Sequence, residues 1–174
     1  AGSIYVICNY IIANIPSWTL RKTLYRMCGM KVGKNARIMM KVVVTHPWKI
    51  SIGNNSVINE YCYLDGRGGL SIGNNVNIAL YSMMITGTHD YASNTFTYYT
   101  EPIRIEDDVW IAARSIVLNG CVLHRGALLS AGAVLSPGTE IKSNMIFGGV
   151  PAKEIKPRDV ELPLKIDHWS IHIR

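Results

Sequence analysis

Residues 105–147 read IEDDVWIAARSIVLNGCVLHRGALLSAGAVLSPGTEIKSNMIF. An aliphatic or aromatic residue returns there at every sixth position: Ile105, Ile111, Val117, Leu123, Leu129, Leu135, Ile141, Phe147. Two places before the next member stands a mostly small residue: Val109, Ser115, Cys121, Ala127, Ala133, Thr139. Side chains alternate along a strand, so both sets face the same way, one large filler and one small corner residue per unit. A six-residue unit is a short strand and a bend, too small to bury anything alone; stacked units share a continuous core. A helical stripe needs spacings of three and four, which this ladder lacks.

Outward from this stretch, the same beat begins at Val32-Gly33-Lys34-Asn35 and continues through Ile38 and Val44. After a slip of two it resumes at Ile52-Gly53-Asn54-Asn55, Ile58, Leu64 and Leu70, and after another at Ile72-Gly73-Asn74-Asn75, Ile78 and Met84. Gly and Asn after the aliphatic residue mark bends, because both tolerate left-handed backbone. The slips predict bulges or small loops. From Met84 to Ile105 is 21 positions, not a multiple of six, and the polar, aromatic stretch between them carries no ladder. It reads as an excursion loop at about 87–102, and such a loop in a compact repeat domain is usually functional. Residues 1–30 form an N-terminal helical segment broken at Pro16, with Ser17 as N-cap and Leu20, Leu24 and Met27 opposite Arg21, Lys22 and Arg26. Its expected place is the open end of the stack. The repeat domain spans 31–158, and 159–174 is a short tail.

Nearly half of the 174 residues are apolar, enough for one core, and no Pro- or Ser-rich linker divides the chain. The apolar run from Ile4 to Ile15 holds two Asn and falls short of the roughly 20 residues of a spanning helix. With no basic segment before it, it is a poor secretory signal. Cys8, Cys28, Cys62 and Cys121 have no metal-site spacing, which suits a reducing, cytoplasmic setting. The net charge of +6 is uneven: eight Lys/Arg and no acid precede Glu60. Such a region suits solubility or contact with an anionic membrane surface. Nothing resembles a nucleic-acid motif.

The order of these motifs (repeats, Thr86-Gly-Thr-His-Asp90, loop, Ile105-Glu-Asp-Asp-Val-Trp-Ile-Ala-Ala113, repeats, Gly149-Val-Pro-Ala-Lys153) resembles the hexapeptide-repeat acyltransferases. Within them it is most similar to sugar and polysaccharide O-acetyltransferases of the galactoside/maltose, nodulation-factor and colanic-acid types. The resemblance runs from about Met30 to Arg158. It implies an all-β fold, a left-handed parallel β-helix of triangular section with an N-terminal helical cap. Periodicity shows neither handedness nor section, and the usual right-handed crossover would have suggested the opposite hand. It also implies a homotrimer with sites between neighbouring prisms, and direct acetyl transfer from acetyl-CoA to a hydroxyl without a metal.

The resemblance carries roles to particular positions. His89 matches the catalytic histidine, a residue type that titrates near neutral pH and can take a proton from an attacking hydroxyl. Asp65, Asp90 and Glu101 are candidates to orient it. Trp110, outward if Ile111 is inward, matches the residue at the thiol end of acetyl-CoA. Ala112 and Ala113 leave room for the pantetheine arm, and Ala113 occupies the oxyanion-donor position. Ala131, Ser136, Lys153, Lys156 and Arg158 match further donor contacts, the cations facing phosphates. Pro137 stands where some relatives carry Lys. Asp65, Arg67, Asp90 and Tyr91 are candidates for the acceptor, and Phe96, Tyr98 and Tyr99 could stack on sugar rings. Other readings are transfer to serine or an amino sugar, a non-catalytic β-helix subunit, and a zinc enzyme on the same scaffold. The last needs three converging histidines; His46, His89 and His124 lack the required spacing, and His168 and His172 lie outside the repeats.

Overall fold

A computed structural model describes residues 2–166. The tail positions 167–174, with His168 and His172, lie outside the described residues. The chain winds as a left-handed parallel β-helix of about six turns behind a short N-terminal helical segment. Each coil contributes one short strand to each of three parallel sheets, the sides of a prism. The first side runs Lys31–Val32, Ile50–Ile52, Leu70–Ile72, Ile103–Ile105, Val122–Leu123, Glu140–Ile141. The second runs from Arg37–Ile38 through Trp110–Ile111 to Met145–Gly148, and the third from Val43–Thr45 to Val134–Leu135.

The six-residue ladder is the core. Ile111, Val117, Leu123, Leu129, Leu135 and Ile141 are fully buried, as are the corner residues Val109, Ser115, Cys121, Ala127 and Ala133. Ladder residues stack on one another: Val32 pairs with Ile52 and Ile52 with Ile72, coils of 20 residues; Ile105 pairs with Leu123 and Leu123 with Ile141, coils of 18. The step from Ile72 to Ile105 is 33, the coil that contains the excursion. Both two-residue slips and the excursion fall at the corner between third and first sides: the turn Pro47–Lys49, residues 66–69, and the hairpin Gly87–His89 with Tyr98–Thr100. All three interruptions of the repeat are thereby collected on one edge.

Asn35, Asn55 and Asn75 do take left-handed backbone at the first-to-second corner (φ 54–57°), and their amides form a ladder ending on Asp108. Gly53 serves another purpose. Its φ is not left-handed, but a Cβ there would lie 2.5 Å from the carbonyl carbon of Gly73 in the next coil.

The helix Trp18–Met27 is capped as expected, Ser17 Oγ accepting from the Leu20 N–H. Its sides follow the expectation in part: Leu24 packs on the core and Arg26 is exposed, but three positions depart from it. Arg21 is buried while Leu20 and Met27 are exposed. The reason is the open end of the first coil. Arg21 donates to the carbonyls of Ile15, Pro16 and Ile38, acceptors that an aliphatic side chain would leave unpaired. Tyr25, Cys8 and Ile12 complete the plug.

Candidate active site

The excursion is anchored from below by Asp65, fully buried at the third-to-first corner. Its Oδ1 accepts from Thr45 Oγ1 (2.8 Å), Arg67 N (3.0 Å) and Arg67 Nε (2.9 Å); Oδ2 accepts from Arg67 Nη2 (2.9 Å) and the Thr86 N–H (3.0 Å). Burial alone would raise its pKa, but these hydrogen bonds outweigh it and hold the carboxyl well below the usual range. With every lone pair committed and no surface exposed, Asp65 has nothing to offer an acceptor. Its expected acceptor role is corrected to that of a clamp on the base of the loop. The other end is tied through Glu101, whose Oε2 accepts from Asn119 Nδ2 at 2.7 Å.

His89 ends the first strand of the hairpin with its side chain exposed. Its Nδ1 lies 2.8 Å from the Phe96 carbonyl oxygen, which can only accept. Nδ1 therefore carries the proton and Nε2 is left with a lone pair. Phe96 stacks on the imidazole (4.1 Å between centroids, 13°), and Tyr98 meets it edge-on at 5.2 Å. Of the three carboxylates considered as orienting partners, Asp65 and Glu101 are engaged elsewhere and Asp90 accepts from the Ala92 N–H inside the turn. A main-chain carbonyl takes that role. Phe96 and Tyr98, expected against sugar rings, pack on the histidine. Phe96 adopts left-handed backbone (φ 50°), a conformation costing an ordinary L-residue about 1 kcal/mol. Tyr91 is 96% exposed and Arg67 lies 5.5 Å from the Tyr98 ring.

Trp110 is on the outer face of the second side, 42% exposed. Register puts Asn77 beneath it, then Leu128 and Ile146 above it, as one outward column. Lys153 and Lys156 lie on the strand Lys153–Pro157, which turns back antiparallel on Met145–Gly148. Three apart, they would normally face opposite ways. The irregularity at Ile146/Phe147 pairs Lys153 with Gly148 and Lys156 with Ile146, placing both on the outer face. Indole and cations are thus on one face, three strand spacings or about 14 Å apart. Ala112 and Ala113 follow at the second-to-third corner. The Ala112 N–H is spent on Leu129 O, whereas that of Ala113 has no acceptor among the described residues. Ala131 stands one coil above Ala113.

Two residues expected on the donor side fall elsewhere. Ser136 follows Val134–Leu135 and lies at the third-to-first corner, the edge of His89. Arg158 donates through Nη1 to the carbonyls of Asp108 (3.2 Å) and Gly126 (2.9 Å) at the first-to-second corner. Its expected phosphate contact is replaced by a structural one. The segment beyond Arg158 is tied to the same corner by the Leu164 N–H, which donates to Asp108 Oδ1 (2.9 Å), and residues 164–166 with Asn77, Trp110 and Arg158 line a cavity of about 280 Å³.

The family profile described as the hexapeptide repeat of succinyl-transferase matches residues 102–137. The chain is 33% identical over 138 residues to WcaF of Escherichia coli (strain K12), named for an acetyltransferase role in colanic acid biosynthesis, covering 79% of this chain and 75% of WcaF. It belongs to the hexapeptide-repeat acetyltransferase family. A dTDP-4-amino-4,6-dideoxy-D-glucose acyltransferase of Escherichia coli is 30% identical over 162 residues, covering 75% and 83% of the two chains. A hexapeptide-repeat acetyltransferase of Vibrio cholerae O1 biovar eltor, solved with acetyl coenzyme A, superposes with TM-score 0.83 at 22% identity, over 91% and 87% of the chains.

In a single chain the His89 hairpin and the Trp110 face lie on different parts of the prism. His89 leaves the third-to-first corner, and the side opposite that corner of a triangle is the second, which carries Trp110. The histidines weighed for zinc are scattered where they are described, and His168 and His172 lie outside the described residues. His46 and His89 lie at the third-to-first corner in different coils, His124 lies at the first-to-second corner, and among the described residues no group of three side chains could hold a metal. No described helix is long and apolar enough to cross a membrane.

Proposed function

We propose that the chain transfers an acetyl group from acetyl-CoA to a hydroxyl of a sugar, free or within a polysaccharide or lipid-linked saccharide. The observation that carries this reading is the His89 tautomer: Nδ1–H held by Phe96 O, with Nε2 left as acceptor on an exposed residue at the end of a hairpin strand. Nε2 takes the acceptor's proton as its oxygen attacks the thioester carbon. The unspent Ala113 N–H donates to the carbonyl oxygen as charge builds there. Trp110 packs beside the thiol end, and Lys153 and Lys156 hold the phosphates along the same face. His89 then returns the proton to the departing thiolate. The names of WcaF and of the Vibrio protein complexed with acetyl coenzyme A support the donor and the acceptor class.

Because His89 and Trp110 sit on opposite parts of one prism, the site is completed by a neighbouring copy, and a ring of three closes it. His89→Ala should lower turnover by about 10²-fold or more with the fold intact. Co-refolding that variant with a donor-face variant (Trp110→Ala with Lys153→Ala and Lys156→Ala) should recover activity, since some interfaces then pair an intact His89 with an intact Trp110. Free thiol release and product mass are the readouts. A mixture no more active than its components would refute the shared site, and full activity of His89→Ala would refute the mechanism and favour a non-catalytic subunit.

Transfer to an amino sugar is the second reading, favoured by the dideoxyglucose acyltransferase relative; a panel of sugars, amino sugars and serine separates these. The capping helices leave Tyr5, Val6, Ile7, Tyr10, Ile11, Leu20 and Met27 exposed, in a region with eight cations and no acid. This supports a cytoplasmic enzyme docked at the inner membrane face. Vesicle flotation without binding to anionic lipid would remove that step.

A further inference from the structure

Below the excursion, on the same edge, lies a cavity of about 270 Å³ that the mechanism leaves unused. It is bounded by the helix Gly2–Val6 through Ile4 and Tyr5, by His46 and Trp48 at the first slip, by Tyr63 of a third-side strand and by Arg67 of the second slip. Three features bear on what it holds. Tyr5 and Trp48 are each about two-fifths exposed, so aromatic faces remain open in a concave site. Arg67 is held by Asp65 through Nε and Nη2, which fixes the guanidinium plane and leaves Nη1 for another acceptor. His46 Nδ1 is buried without a hydrogen-bond partner among the described residues, on a backbone held at φ 48°. Aromatic walls with a few fixed polar groups match a pyranose, which has apolar C–H faces and a hydroxyl rim. The volume is at the small end of ligand sites, the scale of a single ring.

The cavity is also wired to the catalytic histidine. The Arg67 guanidinium lies 5.5 Å from the Tyr98 ring and Tyr98 lies 5.2 Å from His89, so guanidinium and imidazole are within about 11 Å. That is the reach of one or two sugar rings. We propose that the cavity formed by Tyr5, His46, Trp48, Tyr63 and Arg67 binds the sugar residue next to the one acetylated, so the acceptor is at least a disaccharide. The proposal rests on the sugar-acetylation reading above and narrows it: a free monosaccharide fills the position at His89 and leaves the cavity empty.

The test uses the full chain. Acetyl transfer to glucose and galactose is compared with transfer to maltose, cellobiose, lactose and their trisaccharide homologues. In parallel, binding of the same sugars to His89→Ala is followed by saturation-transfer NMR. Di- and trisaccharides should be preferred at least tenfold in kcat/KM, and Trp48→Ala should erase that preference through KM while the KM for acetyl-CoA stays put. Tyr5→Ala, on an exposed helix, gives the same readout if Trp48→Ala does not fold. Equal use of mono- and oligosaccharides, a preference that survives both substitutions, or no binding of any panel member at millimolar concentration would overturn the cavity. Trp48-dependent binding without thiol release from acetyl-CoA would instead sink the acetyltransfer reading and leave the cavity standing.

Discussion

Replacing Asp65 by Asn is the sharpest probe of how the excursion is held, because it keeps shape and changes one atom's chemistry. Oδ1 can still accept from Thr45 Oγ1, Arg67 N and Arg67 Nε. The new amide group, however, faces two donors, Arg67 Nη2–H and the Thr86 N–H, and a donor cannot satisfy a donor. The guanidinium also loses its buried counter-charge. Only the Asp65 end of this pair is fully buried; the Arg67 side chain is 36% exposed, so water takes up part of the stranded charge and the loss is about 2–3 kcal/mol, which for a chain of this size is a fall in Tm of about 4–12 °C. The pH dependence has a definite sign. A carboxyl whose pKa is lowered on folding stabilises fully above its unfolded value near 4, and the contribution is lost only as pH falls from there toward the depressed folded value. The gap between wild type and Asp65→Asn should therefore be constant from pH 8 to about pH 4 and close only below it. Activity should fall too, although Asp65 touches no reacting atom, since a shift of about 1 Å at His89 costs about 10²-fold. Circular dichroism melts across pH, paired with thiol release, measure both. Equal melting temperatures, or a gap that closes by pH 6, would refute the clamp.

Three further outcomes follow from other parts of the molecule. Arg21→Met should destabilise by about 2–4 kcal/mol in denaturant titration, because the carbonyls of Ile15, Pro16 and Ile38 lose their donor beneath the first coil. Gly53→Ala should cost about 1–3 kcal/mol by overpacking, its Cβ meeting rigid backbone of the next coil rather than a side chain that can move. Lys153→Ala with Lys156→Ala should raise KM for acetyl-CoA about tenfold or more with kcat at saturating donor unchanged, and added salt should blunt the difference.

The sequence made some of this legible and hid the rest for identifiable reasons. A period of six with large and small residues in fixed phase leaves one solution, and each ladder residue from Ile111 to Ile141 is buried accordingly. The excursion announced itself by breaking the period. Arg21 was misplaced because an amphipathic helix is read on the assumption that its neighbour is apolar, whereas the end of a β-helix presents unpaired carbonyls. Arg158 was misread similarly: a cation near a phosphate site has no way, in one dimension, of showing that three carbonyls already hold it. The partner of His89 was hidden more deeply, since a backbone carbonyl has no residue type. Its only trace was Phe96, a bulky residue in a turn, where the left-handed angle that presents the carbonyl is unexpected.

The edge between third and first sides shows why a regular solenoid can carry an irregular site. Stacked coils pass their register upward, so an insertion at one corner displaces nothing on the other two sides: Ile52, Ile72 and Ile105 remain paired across coils of 20 and 33 residues. Loops can therefore accumulate on one edge without disturbing the core. Here they bring Trp48, Arg67 and His89 onto one edge from three successive coils, while the side bearing Trp110 carries no loop insertion between the coils. On the proposed reading, acceptor recognition belongs to the variable edge and donor recognition to the regular face. On this division, exchanging residues 46–49 and 66–69 for those of a relative should change which saccharide is acetylated and leave the KM for acetyl-CoA alone.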